Sequence, residues 1–137
     1  GAENRLMTAQ QEILRDKLRR GSDIFKNIES LRAYIEANEK IAEGMHDPQL
    51  LQLINTQTAE LNFQYAKLLN VRAKIDKCIQ SLDDRDLRAI MTMRYLGHLS
   101  TFAIADLLHY GRNSVNRKHK QALNKIIEIG ADQYLDF

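Results

Sequence analysis

Apolar residues recur along two stretches of this chain at alternating steps of four and three, and that spacing calls for paired helices. The first seam is Ile24, Ile28, Leu31, Ile35, Asn38, Ala42 and Met45. The second is Leu51, Ile54, Thr58, Leu61, Tyr65, Leu68, Arg72, Ile75, Ile79 and Leu82. Between them, Gly44-Met45-His46-Asp47-Pro48 holds the only proline of the 137 residues. Asp47 is placed to cap the second helix, with Pro48 at its first position. So short a connection predicts an antiparallel hairpin. Gly21 reads as a breaker and Ser22 as an N-cap, which starts the first helix of the pair near Asp23. Upstream, Leu6, Ile13, Leu14 and Leu18 outline a further amphipathic helix. One proline and six glycines also argue against sheets joined by tight turns, so the fold class is all-α.

Phe25, Tyr34, Leu50, Leu53, Phe63, Leu69 and Val71 flank the seams and give the pair a second apolar face. One reading is self-association into a dimer or higher oligomer, with Ile24, Ile28, Leu31, Ile35, Ile54, Leu61, Tyr65, Leu68 and Ile75 as oligomerisation residues. The other is packing against the C-terminal half of the same chain. Both stay open at this level, and so does the role of Arg72, which either sets register or marks where the seam meets solvent.

Near Ser81 the character of the chain changes, which divides it into a helical hairpin and oligomerisation region over residues 1–81 and a helix-turn-helix DNA-binding domain over residues 82–137. Asp83, Asp84 and Asp86 follow Ser81 and suit the positive end of a helix dipole better than an acid catalyst. Leu87, Ile90, Met91 and Arg94-Tyr95 continue that helix, and Gly97 ends it. Thr101 to Leu108 forms a short helix started by Ser100 or Thr101. Its apolar face is Phe102, Ala105 and Leu108, with Ile104 alongside. His109-Tyr110-Gly111 turns the chain, and a third helix runs from about Arg112 to about Ile129 with Val115, Ala122, Leu123 and Ile126 inward. A short helix, a tight turn and a longer helix make the helix-turn-helix unit, whose second helix enters the DNA major groove.

Charge placement agrees. The chain carries 20 Lys and Arg against 18 Asp and Glu, yet from Arg112 to Lys125 every charged side chain is basic, the footprint expected for phosphate. With Val115, Ala122 and Ile126 inward, Arg112, Asn113, Asn116, Arg117 and Lys120 share another face. Arg pairs with guanine and Asn with adenine, so this face is suited to reading bases. Ser114, Lys118 and Lys125 lie to either side, suited to phosphates. Ser100 and Thr101 offer hydroxyls and amides where the chain would cross the DNA backbone.

Residues 82–126, about a third of the chain, resemble region 4 of the sigma-70-type RNA polymerase sigma factors. The matching text is LDDRDLRAIMTMRYLGHLS, then TFAIADLLHY, then GRNSVNRKHKQALNKI. Arg94-Tyr95 before the glycine loop, Ile104-Ala105 in the short helix, Gly111-Arg112-Asn113-Ser114-Val115 opening the next helix and Ala122-Leu123 near its end carry the likeness. Gly111 departs from the family's capping Ser, and His119 from a position usually apolar. Nothing upstream resembles sigma region 2. The order of parts is similar to that of small phage and prophage late-gene activators of the ArpU and RinA type. This resemblance implies a transcriptional regulator in the bacterial host cytosol that binds double-stranded DNA, with RNA polymerase as a further partner. Two other roles fit the same parts: an adaptor that docks its hairpin on polymerase or a sigma factor without touching DNA, and a DNA-packaging subunit like a phage small terminase.

Other classes find no footing. No glycine-rich phosphate loop, nucleophile elbow or HExxH sequence occurs, so neither an enzyme nor a cofactor is expected. His98 and His109 fall in loops, no cluster has metal-ligand spacing, and His119 reads as a core or edge histidine. Cys78, the only cysteine, reads as a small residue in a helix interface, compatible with a reducing compartment. No apolar run is long enough to span a bilayer, no signal peptide is read at the start, and Gly1 reads as a cloning remnant, all in keeping with a cytosolic protein.

Overall fold

The longest stretch free of glycine or internal proline forms the longest element of the computed structural model, which describes residues 6–137. The reading of Gly1 lies outside the described residues. Helix α3 (Pro48–Gln80) is 33 residues long, about 50 Å at the α-helical rise. Asp47 caps it, its carboxylate accepting from the amides of Gln49 at 2.9 Å and Leu50 at 3.4 Å. Helix α2 (Ile28–Glu43) precedes it and returns alongside its first half. Asn38 Nδ2 donates to Gln57 Oε1 across the pair at 3.1 Å, so the polar residue in the α2 seam is satisfied rather than orphaned.

The remaining elements are α1 (Ala9–Ile24), α4 (Arg85–Tyr95), α5 (Thr101–Leu108), α6 (Arg112–Glu128) and a 3₁₀ turn at Ala131–Tyr134. Among the described residues there is no strand, and no helix is long and apolar enough to cross a membrane. The chain is all-α.

Two helix starts differ from expectation. Gly21 and Ser22 do not start a helix; α1 passes straight through them and ends at Ile24. The glycine permits close approach, because a Cβ there would lie 2.6 Å from Phe137 Cζ and 2.7 Å from Ile75 Cδ1. The real start of α1 is a capping box at Thr8, whose hydroxyl accepts from the Gln11 amide while the Gln11 side chain accepts from the Thr8 amide. Helix α4 likewise starts later than Ser81. Asp84 caps it, accepting from the amides of Asp86 at 2.8 Å and Leu87 at 3.1 Å.

Ile28, Ile35 and Ile75 are buried by the chain itself, and Leu31, Ile54, Leu61, Tyr65 and Leu68 are half-buried in it. Within the single chain these residues pack in the hairpin and the core. Ile24, at the end of α1, drops out of the seam and is exposed; Arg72 is exposed too, where the seam reaches solvent. On the α2–α3 hairpin the large apolar side chains left outward are Tyr34, Ile41, Leu50, Leu53, Phe63 and Leu69.

The main core crosses the expected boundary at residue 81. Leu14, Leu18 and Phe25 from the α1 region pack in one cluster with Ile75, Cys78 and Ile79 of α3, Leu87, Met91 and Tyr95 of α4, and Ala122, Leu123 and Ile126 of α6. Leu135 from the C-terminal segment closes it, fully buried. A smaller cluster of Ile90, Ile104, Ala105 and Val115 fastens α5 to α4 and α6.

Candidate nucleic-acid interface

The loop between α4 and α5 aims the start of α5. A Cβ at Gly97 would meet the Met93 carbonyl oxygen at 2.8 Å, so the chain can leave α4 in this direction only with glycine. His98 follows with φ of 58°; its Nδ1 lies 2.9 Å from Ser22 Oγ and its ring packs 5.2 Å from that of Phe25. Ser100 then caps α5, its hydroxyl accepting from the Ala103 amide at 3.1 Å. The Thr101 hydroxyl accepts from the Arg94 guanidinium.

Helix α5 buries Ile104 and Ala105, with Leu108 half-buried. Phe102 was expected on this inward face and is not there. It is 66% exposed, and the Arg112 guanidinium lies over its ring at 5.4 Å from the centroid, within cation–π range. Residues 104, 105 and 108 satisfy the short helix, which turns Phe102 outward.

After the left-handed His109 (φ 57°), Gly111 enters α6 without any side-chain cap. The departure at Gly111 noted in the sequence therefore leaves the first-turn amides of α6 without a side-chain acceptor. Val115, His119, Ala122, Leu123 and Ile126 form the buried face of α6. His119 Nε2 and the Tyr95 hydroxyl share a hydrogen bond of 2.7 Å inside the core. Burial, helped by the Arg94 and Arg15 charges, pulls the imidazole down to about 4, so it is neutral near pH 7 and adds no charge to the core.

Between the N-termini of α5 and α6 lies a groove of about 640 Å³ lined by Ser100, Thr101, Phe102, Gly111, Arg112, Asn113 and Asn116. Five of the residues singled out from sequence for DNA contact, Ser100, Thr101, Arg112, Asn113 and Asn116, thus meet around one depression. Arg117 is exposed but lies outside the groove lining. Ser114, Lys118 and Lys120 are half-buried. Lys118 Nζ stands 3.9 Å from Asp86 Oδ2 and 5.7 Å from the Tyr110 ring, so α4 partly neutralises it. Tyr110 also donates to Asp86 at 3.3 Å.

Phe102 is the lining residue that sequence reasoning placed wrongly. Arg15, Arg19 and Lys26 were passed over, and Arg94 was read only as part of its helix and of the family likeness, although all four line one cleft near the same end of the molecule. This second cleft shares Ser100 with the groove. The only signal for them was the four-residue spacing of Arg15 and Arg19, common on any solvated helix. No protein family matches this chain, and neither a curated protein nor a solved structure is significantly similar to it.

Proposed function

We propose that this protein is a sequence-specific DNA-binding regulator of transcription that uses α5, the His109–Gly111 turn and α6 as a helix-turn-helix. The observation that carries the reading is the division of α6 into two faces. Val115, His119, Ala122 and Ile126 are buried, while Arg112, Asn113, Asn116 and Arg117 stand exposed at its N-terminal end. In a helix-turn-helix, that end of the second helix is the part that meets base edges. Arg112 and Arg117 are assigned to guanine, and Asn113 and Asn116 to adenine. Ser100 and Thr101 are assigned to the DNA backbone, with Ser114, Lys118 and Lys120 as flanking phosphate contacts.

Tyr34 and Ile41 each stand one position before a seam residue of α2, and Leu50 one before Leu51 of α3. In an antiparallel pair these positions border the same side of the interface. Together with Leu53 they give the hairpin an apolar face that we assign to a second copy. Two copies joined there would present two α6 helices to half-sites roughly 34 Å apart or a multiple of it. The likeness of residues 82–126 to sigma region 4, together with the order of a coiled-coil half and a region 4-like half, supports a phage or prophage regulator that works in a bacterial cytosol near promoters, with RNA polymerase as a further partner.

The experiment is selection of bound duplexes from random DNA, followed by titration of the winner at several salt concentrations. With about five phosphates contacted, log affinity falls against log salt with a slope of roughly −4 to −5. Arg112→Ala or Asn116→Ala flattens the preference among sequences, while Lys118→Ala weakens all duplexes about equally. Failure of the wild-type chain to bind any duplex at low salt would replace this reading with the polymerase adaptor. A ring of eight or more subunits would favour DNA packaging.

A further inference from the structure

Ser100 lines two depressions at once. One is the groove at the α6 N-terminus. The other is a cleft of about 250 Å³ between α1, the turn after it and the α4–α5 loop. Arg15, Arg19, Lys26 and Arg94 gather there around one lining carboxylate, Asp23. Asp16 pairs with Arg15 at 3.3 Å and with Arg19 at 2.7 Å, so four cations still face only two carboxylates. His98 lines the same cleft, and burial first, then Lys26, push it below its ordinary value while Asp23 acts the other way.

Arg94 ties the two depressions together. It lines the cleft, and its guanidinium donates to the Thr101 hydroxyl on the wall of the groove. A path therefore runs from Asn113 and Arg112, across Ser100 at the start of α5, to Arg94 and on to Arg19 and Lys26. Arg19 and Lys26 are exposed, so the cleft is open to a polymer passing over it. Guanidinium groups suit a phosphate held by two oxygens.

We propose that this cleft is a second phosphate-binding station, which takes a backbone phosphate of the duplex lying on α6, beyond the N-terminus of α5. The inference rests on the DNA-binding reading and extends the footprint onto α1, outside the helix-turn-helix. Arg94 orients Thr101 toward the strand and contacts it as well; Arg19 and Lys26 hold the flank. These contacts add affinity and salt dependence without choosing sequence.

The test uses the full-length chain and the duplex obtained by selection. In Arg19→Ala/Lys26→Ala, the slope of log affinity against log salt becomes shallower by about two. Affinity at 0.1 M salt falls roughly 60-fold against the wild type if the two are equal at 1 M, by the same counterion arithmetic. The ranking of sequences is unchanged, and hydroxyl-radical protection is lost on one flank only. Arg19→Lys/Lys26→Arg keeps the wild-type slope. Both variants alter exposed side chains, and matched thermal melts verify that the fold is intact. An unchanged slope and footprint in the alanine variant overturns the cleft assignment while α6 binding stands. Loss of sequence ranking in that variant overturns it as well. If inorganic phosphate raises the melting temperature of the wild-type chain but not of the variant, and the slope is unchanged, the cleft holds a free anion and the duplex path is wrong. A wild-type chain that binds no duplex overturns both readings together.

Discussion

Acidification to pH 4.5 is expected to cost this protein about 2.5 kcal/mol at His119 alone, by proton linkage. The imidazole is 4% exposed and bonded to the Tyr95 hydroxyl at 2.7 Å. Its value falls to about 4, from 6.5 in an unfolded chain, with burial as the main cause and the Arg94 and Arg15 charges adding to it. Because the folded value is the lower one, the unfolded chain takes up the proton first. Well above pH 6.5 both states are neutral and nothing is lost. Stability then declines as the pH falls toward 4 and levels off once both states are protonated, at a loss of roughly 3 kcal/mol. Linkage places the loss at about 1.4 kcal/mol at pH 5.5 and about 2.5 kcal/mol at pH 4.5. Urea unfolding across this range measures the total, which also contains the carboxylates. The double variant Tyr95→Phe/His119→Leu isolates the imidazole, since it removes donor and acceptor together and leaves no buried partner unpaired. The gap between wild type and variant should change by about 2.5 kcal/mol in favour of the variant between pH 7.5 and 4.5. A constant gap would show that His119 takes up its proton at the same pH folded as unfolded, and the account of its burial would be wrong.

Three further outcomes are expected. Gly21→Ala places a methyl group against Phe137 and Ile75 at under 3 Å; overpacking at about 1–3 kcal/mol outweighs the helix-propensity gain of about 1 kcal/mol, so the melting temperature drops, and Phe137→Ala in the same chain recovers part of it. A fragment of residues 82–137 lacks Leu14, Leu18, Phe25, Ile75 and Ile79 from the main cluster, so it unfolds without a cooperative transition, whereas a sharp melt by circular dichroism would restore the boundary at 81. The Cys78 thiol, fully buried and pushed up to about 12 by burial and then by Asp132, stays unreactive toward a thiol reagent at pH 8 until denaturant is added; rapid labelling of the native protein would contradict its placement.

Local signals in the sequence were dependable where each element carries its own evidence. Asp47 and Pro48 mark the start of α3; the bounds of α5 and the buried face of α6 follow from Ser100 and from the spacing of Val115, Ala122 and Ile126. Where the deciding contact is distant, the same logic failed. Gly21 has the look of a breaker, and it is a packing glycine only because Phe137 and Ile75 come to rest on it. Phe102 fits an inward stripe as well as Ile104 does, and the choice was made by which residue the cluster of Ile90 and Val115 could admit. The cleft beside Ser100 was invisible for the same reason: Ser22 and His98, which join its two walls, are 76 residues apart.

Those distant contacts also bear on how the two halves work together. A hairpin attached through a flexible linker would let α6 search for its site independently, with the spacing of two copies set by the length of that linker. Here α3 continues unbroken from the hairpin tip into the cluster that seats α6, where Ile75, Cys78 and Ile79 pack with Ala122, Leu123 and Ile126. α1 then braces the same cluster through Leu14 and Leu18. Any contact made at the hairpin tip is therefore transmitted along roughly 50 Å of continuous helix to the base of α6. If two chains pair through Tyr34, Ile41, Leu50 and Leu53, the separation of their α6 helices is a fixed property of the fold, and half-sites moved by half a helical turn of DNA should be bound as two unlinked sites rather than as one.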